Sequence, residues 1–153
     1  MSIAKIYSRA LTGMNAPQII VEVHVASGLP SFSIVGLPDT EIKESRDRIR
    51  SAIQNSGFDF PARRITVNLA PADLPKDSSR YDLPIALGII IAAKLITPLK
   101  DINQYEFAGE LALDGELRPV KGALAMAFGI HNENRAFVLP IQRANEARLI
   151  EDI

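Results

Sequence analysis

The sequence predicts an α+β fold: a two-layer domain with helices on one face of a mixed sheet. Three observations lead there. The first third consists of short runs rich in β-branched residues, separated by turn signals. The rest of the chain alternates extended and helical patterns. One helical stretch is apolar nearly all round, which places it at the centre of a core. The chain has 153 residues, enough for one domain that buries a core of its own.

Ile3 to Ala10 is the first run of β formers. In Gln18 to Ala26, Val21, Val23 and Val25 share one face while Glu22 and His24 share the other, the period of a half-buried strand. The turn signal Ser27-Gly28-Leu29-Pro30 precedes Ser31 to Val35, where Phe32 and Ile34 fall together. Short connections predict an antiparallel meander. Gly36-Leu37-Pro38 stops the strand, and Asp39 or Thr40 is the expected cap of a helix that runs to about Asn55. Its expected core positions are Ile42, Ile49, Ala52 and Ile53.

Arg64 to Leu69 is a β-branched strand between two prolines. The loop 70–81 is polar, and Asp82 is the expected cap of the apolar helix LPIALGIIIAAKL, with Pro84 in its first turn. Tyr105 to Leu113 reads as one strand, and Asp114-Gly115 turns it into Glu116-Leu117-Arg118. A small-residue helix at Gly122 to Ile130, a strand at Arg135 to Leu139 and an amphipathic helix at Ile141 to Ile150 complete the order. With no repeats and no internal linker, residues 1–153 form one domain, and its end directly after a helix suggests a piece of a longer protein.

Composition narrows the function. A hydrophobic content of 47% and a charged content of 23% are ordinary for a globular chain. The net charge of -1 gives no general attraction to nucleic acid. The absence of cysteine excludes disulfides and thiolate metal sites. The longest apolar stretch, Leu83 to Ala93, is too short to span a bilayer, so no membrane partner is expected.

Long stretches carry a specific resemblance: IAKIYSRALTGMNAP, then VEVHVASGLPSFSIVGLPDTEIKESRDRIRSAIQNSGFDFPARRITVNLAPADLPKDSSRYDLPIALGI, then FAGELALDGELRPVKGALAMA and FVLP. Nearly the whole chain resembles the amino-terminal domain of the ComM/YifB family of magnesium-chelatase-like AAA+ ATPases. The resemblance implies a fold similar to the Lon proteolytic domain and to ribosomal protein S5 domain 2. It implies a bacterial, cytoplasmic protein that continues into an AAA+ module. That module would bind ATP and magnesium, assemble with neighbouring subunits into a hexamer and drive DNA branch migration in natural transformation. The chain itself has no GxxxxGK[ST] phosphate loop, so no cofactor is expected within it.

Lon-type peptidases pair a serine in a PKDGPSAG segment with a lysine in a GGLKEK segment, because a serine hydroxyl needs a nearby neutral amine as base. Setting Pro75-Lys76-Asp77 on the first motif puts Arg80 at the nucleophile's position; setting Arg118 to Gly122 on the second puts Leu124 at the lysine's. Neither can do the chemistry, so no catalytic residue is expected. The vestigial site comprises Ser78, Ser79, Arg80, Asp82, Lys121 and Leu124. A relocated dyad would need Ser78 or Ser79 beside Lys121; loop-capping hydroxyls and a solvated ammonium are the simpler reading. Arg80 and Asp82 are expected to pair with each other or with Arg46 or Arg50.

A basic cluster comprises Lys43, Arg46, Arg48, Arg50, Arg63, Arg64 and Lys76. It would contact DNA phosphates or the ATPase ring. The nearby acids almost balance it, which favours a solvated, salt-bridged helix face. His24 and His131 have no histidine at ligand spacing, so no zinc site is expected. The sequence therefore supports a non-catalytic accessory domain of an AAA+ ATPase, with direct DNA binding as the rival. Part of a metal-insertion ATPase and a peptidase with a moved dyad are more distant alternatives.

Overall fold

The computed structural model describes residues 2–13, 15–74, 76, 79–131, 133–140 and 147. Among them, strands β1 (Ser2–Arg9), β2 (Gln18–Ala26), β3 (Ser31–Val35), β4 (Arg64–Ala70), β5 (Tyr105–Phe107) and β8 (Ala136–Val138) form a mixed sheet in the order β3-β4-β2-β1-β5-β8. Strands β6 (Glu110–Leu111) and β7 (Leu117–Arg118) form a separate two-stranded ribbon. The helices are α1 (Asp39–Asn55), α2 (Asp82–Ala92) and α3 (Ala123–His131). The expected helix at 141–150 lies outside the described residues, apart from Ala147, which is helical.

The three early strands do not form a meander. β1 and β2 pair antiparallel, but β4 inserts beside β2, and β3 runs parallel to β4 at the edge. The connection through α1 is long enough for this parallel return, which a tight turn cannot make. The stretch from Tyr105 also differs from the single strand expected. β5 ends at Phe107, and Glu110 leaves the main sheet for the ribbon, whose turn is at the expected Asp114-Gly115.

Alternation sorts the sheet's faces. Ile6, Val21, Val23, Ile65, Val67 and Leu69 are buried on one side. There α2 crosses β1 and β2, and α1 packs beside it through Ile49, Ala52 and Ile53. Ile42 is only partly buried at the core's margin, whereas Ser45 is buried. Gly88 lets α2 approach closely: a methyl there would meet Val23 Cγ2 at 2.5 Å.

The expectation of helices on one face holds for α1 and α2 only. Phe107 and Val138 face the main core, so Glu106 and Phe137, their chain neighbours, point to the other side. Phe137 packs there with Met126, Ala123 and Ala127 of α3. The crossovers β4-α2-β5 and β5-α3-β8 advance in one direction along the sheet but return over opposite faces. They therefore have opposite hands, and one is the uncommon hand that about 2% of such connections adopt.

Neither expected helix cap holds. Pro38 occupies the cap position of α1 and Tyr81 that of α2, and neither supplies a side-chain bond. Asp82 is instead the first residue of α2, and its carboxylate points into the protein. Among the described residues no helix is long and apolar enough to cross a membrane.

Candidate functional site

The loop after β4 tightens into a 3-10 turn, Ser79–Tyr81, that feeds α2 directly. This turn, the first half of α1, and the ribbon with the segment after it enclose a cleft of about 610 Å³. Its walls include Glu41, Glu44, Ser45, Arg48, Ser79, Arg80, Glu110 and Lys121. The fold thus collects Ser79, Arg80 and Lys121, three of the residues expected to form a vestigial site, in one place and adds three glutamates that the sequence did not point to. Ser78, with Pro75 and Asp77 of the aligned motif, lies outside the described residues. Leu124 is the second residue of α3, partly buried.

The serine of the cleft faces an acid. Ser79 Oγ donates a short hydrogen bond to Glu110 Oε1. Glu110 is held close because the backbone before it is tied to the turn: Gly109 N donates to Arg80 O at 3.0 Å and Leu83 N donates to Gly109 O at 3.0 Å. Arg80, at the aligned nucleophile position, is 5% exposed. Its Nη1 donates to the Lys121 carbonyl at 2.9 Å and lies 3.2 Å from Met126 Sδ. A permanently charged guanidinium fixed in this way ties the turn to α3 and cannot act as a nucleophile. Lys121 itself is exposed.

Asp82 forms the polar centre behind the cleft and is fully buried. Arg48 Nε donates to Oδ2 at 2.7 Å, Ser45 Oγ donates to Oδ1 at 2.6 Å and Leu111 N donates to Oδ2 at 3.2 Å. Burial pushes the carboxyl above the usual carboxylate range, against the Arg48 and Ser45 hydrogen bonds that favour its charge. Burial acts to lower the affinity of Arg48 for its proton, but the bond to Asp82 and that residue's charge outweigh it. The expected partners of Asp82 were Arg80, Arg46 or Arg50; the observed one is Arg48, because α1 turns that residue toward α2. Ser45 had a legible signal. It lies on the stripe Ile42, Ser45, Ile49, Ala52, the buried face of an amphipathic helix.

The basic cluster divides three ways. Arg48 belongs to the cleft. Lys76 is 4% exposed, so it is not a surface contact: its ammonium donates to the Pro71 and Leu74 carbonyls, each at 2.6 Å. Burial lowers its affinity for a proton, with Asp73 opposing. Lys43, Arg50, Arg63 and Arg64 are exposed, and Arg46 is partly so. None of these five forms an ion pair, so the salt-bridged helix face expected from the balance of charges is not realised.

A second buried polar cluster had no signal in the sequence reading. Arg9 Nε and Nη2 donate to the two oxygens of Glu106 at 2.8 and 2.9 Å, and Arg135 Nη1 donates to Glu106 Oε2 at 2.9 Å. Arg135 also stacks over the Tyr7 ring at 3.8 Å and reaches Gln18. The cluster joins β1, β5 and the entry to β8 on the face that α3 covers. His24 lies on the polar face of β2 as expected, and no cluster of metal-ligating side chains occurs among the described residues.

The sequence profile of the family described as subunit ChlI of Mg-chelatase matches residues 21–143. The chain is 50% identical to the uncharacterized protein YifB of Salmonella typhimurium over 98% of its length. It is 48% identical to the competence protein ComM of Haemophilus influenzae over 99%, and 36% identical to an uncharacterized Mycobacterium bovis protein over 100%. In each case it spans about 30% of the relative's own length. With the profile covering most of the chain and these relatives matching nearly its whole length, the chain belongs to the Mg-chelatase ChlI-like family and, within it, to the ComM/YifB group.

Proposed function

We propose that this chain is a non-catalytic, Lon-like accessory domain of a ComM/YifB-type AAA+ ATPase, which assembles on or positions substrate for an ATPase module outside these residues. The full protein would be an ATP-driven DNA branch-migration motor acting in recombination during natural transformation. ATP and magnesium would be held by that module, and neighbouring subunits of a hexamer would be the domain's partners. The layering of α1 and α2 on a mixed sheet supports the Lon-like, S5 domain-2-like reading. The name of the competence relative supports the role in transformation.

One observation carries the non-catalytic part. The serine of the cleft donates to a carboxylate while a buried guanidinium occupies the aligned nucleophile position. A serine peptidase of this type needs a neutral amine in hydrogen-bond reach of the hydroxyl. The test is a peptidase assay on the purified chain, with a Ser78→Ala, Ser79→Ala double variant beside it. No turnover is expected from either. Peptide cleavage by the wild type that disappears in the double variant would overturn the reading.

A further inference from the structure

The edge of the sheet at β3 carries four arginines of the basic cluster that the cleft does not use: Arg46, Arg50, Arg63 and Arg64. Arg50 and Arg63 flank a small pocket of about 80 Å³ whose other walls are Ser31, Phe60 and two prolines. Three separate segments build it: the start of β3, the middle of α1 and the approach to β4. The Arg50 guanidinium lies 4.5 Å over the Phe60 ring, and Phe60 in turn stacks near Phe32 at 5.5 Å. The backbone of Arg63 is tied to the start of β3, its carbonyl accepting from Ser31 N at 3.2 Å, and its exposed side chain lines the pocket. Arg46 is pinned to the edge strand through the Phe32 carbonyl at 2.9 Å. Arg64 follows as the first residue of β4.

No carboxylate pairs with any of these four arginines. The Arg50 guanidinium, over a ring, and the Arg46 guanidinium, on one carbonyl, keep most of their donors for a ligand, and those of Arg63 and Arg64 keep all of theirs, in the planar fork that matches phosphate oxygens. The pocket has room for two or three waters at about 30 Å³ each, which is the size of one phosphate group. Several such forks along one edge suit a polyanion with regularly spaced phosphates better than a single carboxylate ligand.

We infer that the β3 edge is a DNA-backbone contact, with one phosphate seated between Arg50 and Arg63 beside the Ser31 hydroxyl. Binding there is sequence-independent, because phosphate contacts carry no base information. The inference does not depend on whether the cleft is catalytic.

The test titrates the full-length protein with labelled duplex DNA at several salt concentrations. It compares wild type with an Arg50→Gln, Arg63→Gln double variant, an Arg50→Lys, Arg63→Lys double variant, and Lys100→Gln as a control. Lys100 is exposed and precedes β5, which three strands separate from β3. Losing the phosphate seated between the two arginines lowers the slope of log affinity against log salt by about 0.9. The lysine variant retains most of the slope and Lys100→Gln retains all of it. The unfolding midpoint stays unchanged, since the two arginines are on the surface. An unchanged slope in the glutamine variant overturns the inference. So does a polyglutamate peptide that binds the patch as tightly as DNA of equal charge, which would assign the edge to an acidic protein partner.

Discussion

The two buried ionic clusters solve the same problem differently. On the cleft side, Asp82 has one guanidinium, one hydroxyl and one backbone amide, and Arg48 keeps 23% of its side chain exposed. On the opposite face, Glu106 is held by two guanidiniums, and the side chain of Arg9 is only 6% exposed. A buried charge must have all its hydrogen-bonding capacity met. Asp82 meets this partly with neutral donors, and Arg48 can turn to the water of the cleft. Glu106 meets it with two charged donors, of which Arg9 is buried and Arg135 is shared with Gln18 and the Tyr7 ring. The cleft cluster is thus the adaptable one, joining α1, α2 and the ribbon. The other is a rigid clamp joining β1 and β5 to the entry of β8.

The sharpest way to break this contrast is to remove each shared centre. Glu106→Ala strands the Arg9 guanidinium in the interior and should cost about 3–5 kcal/mol in urea unfolding. A loss below about 1 kcal/mol would show that the clamp contributes little. Arg48→Met leaves the Asp82 carboxyl with Ser45 and Leu111 N and a readily regained proton, so the expected loss is smaller, about 2–3 kcal/mol. Adding Asp82→Leu to Arg48→Met should recover part of that loss, because an apolar pair of similar bulk avoids the desolvation cost. If the double variant is worse than the single one, the carboxylate does more than bind Arg48.

The smallest effect is a pH dependence confined to the cleft cluster. Because the folded Asp82 carboxyl sits above its ordinary range, the native chain binds more protons there than the unfolded chain between the two values. Native stability from this group therefore rises as pH falls through that window and is flat above it. Asp82→Asn lacks the group, so wild type should gain stability relative to it as the pH falls from neutral toward about 4. Unfolding midpoints of both proteins across that range measure the gap. A gap that moves the other way means that the Arg48 and Ser45 hydrogen bonds outweigh burial.

Much of the framework was legible because it depends on local period. The alternation of Val21, Val23 and Val25 predicts their burial, and all three are buried. The apolar stretch around Ile85 and Ile89 predicts the central helix, and both side chains are fully buried. The nearness of Ser79, Arg80 and Lys121 was legible, and the three line one cleft. Glu41, Glu44 and Glu110 were not, because they come from a helix and a ribbon whose positions no local pattern gives. Asp82 was misread as a cap because an acid at a helix start fits that role equally well until its neighbours are known.

The amino-acid order alone determined the helix and strand segments, the apolar faces, the absence of cysteine chemistry and a family resemblance running through nearly every element. The tertiary structure alone decided that β4 separates β2 from β3, that α3 takes the opposite face from α2, and that Asp82 chooses Arg48. It also decided that Lys76 turns inward while the arginines at the β3 edge stay unpaired. The reason is physical. Periodicity reports which side of its own segment a residue prefers, whereas an ion pair depends on which segments meet, and Arg9 and Glu106 lie 97 residues apart.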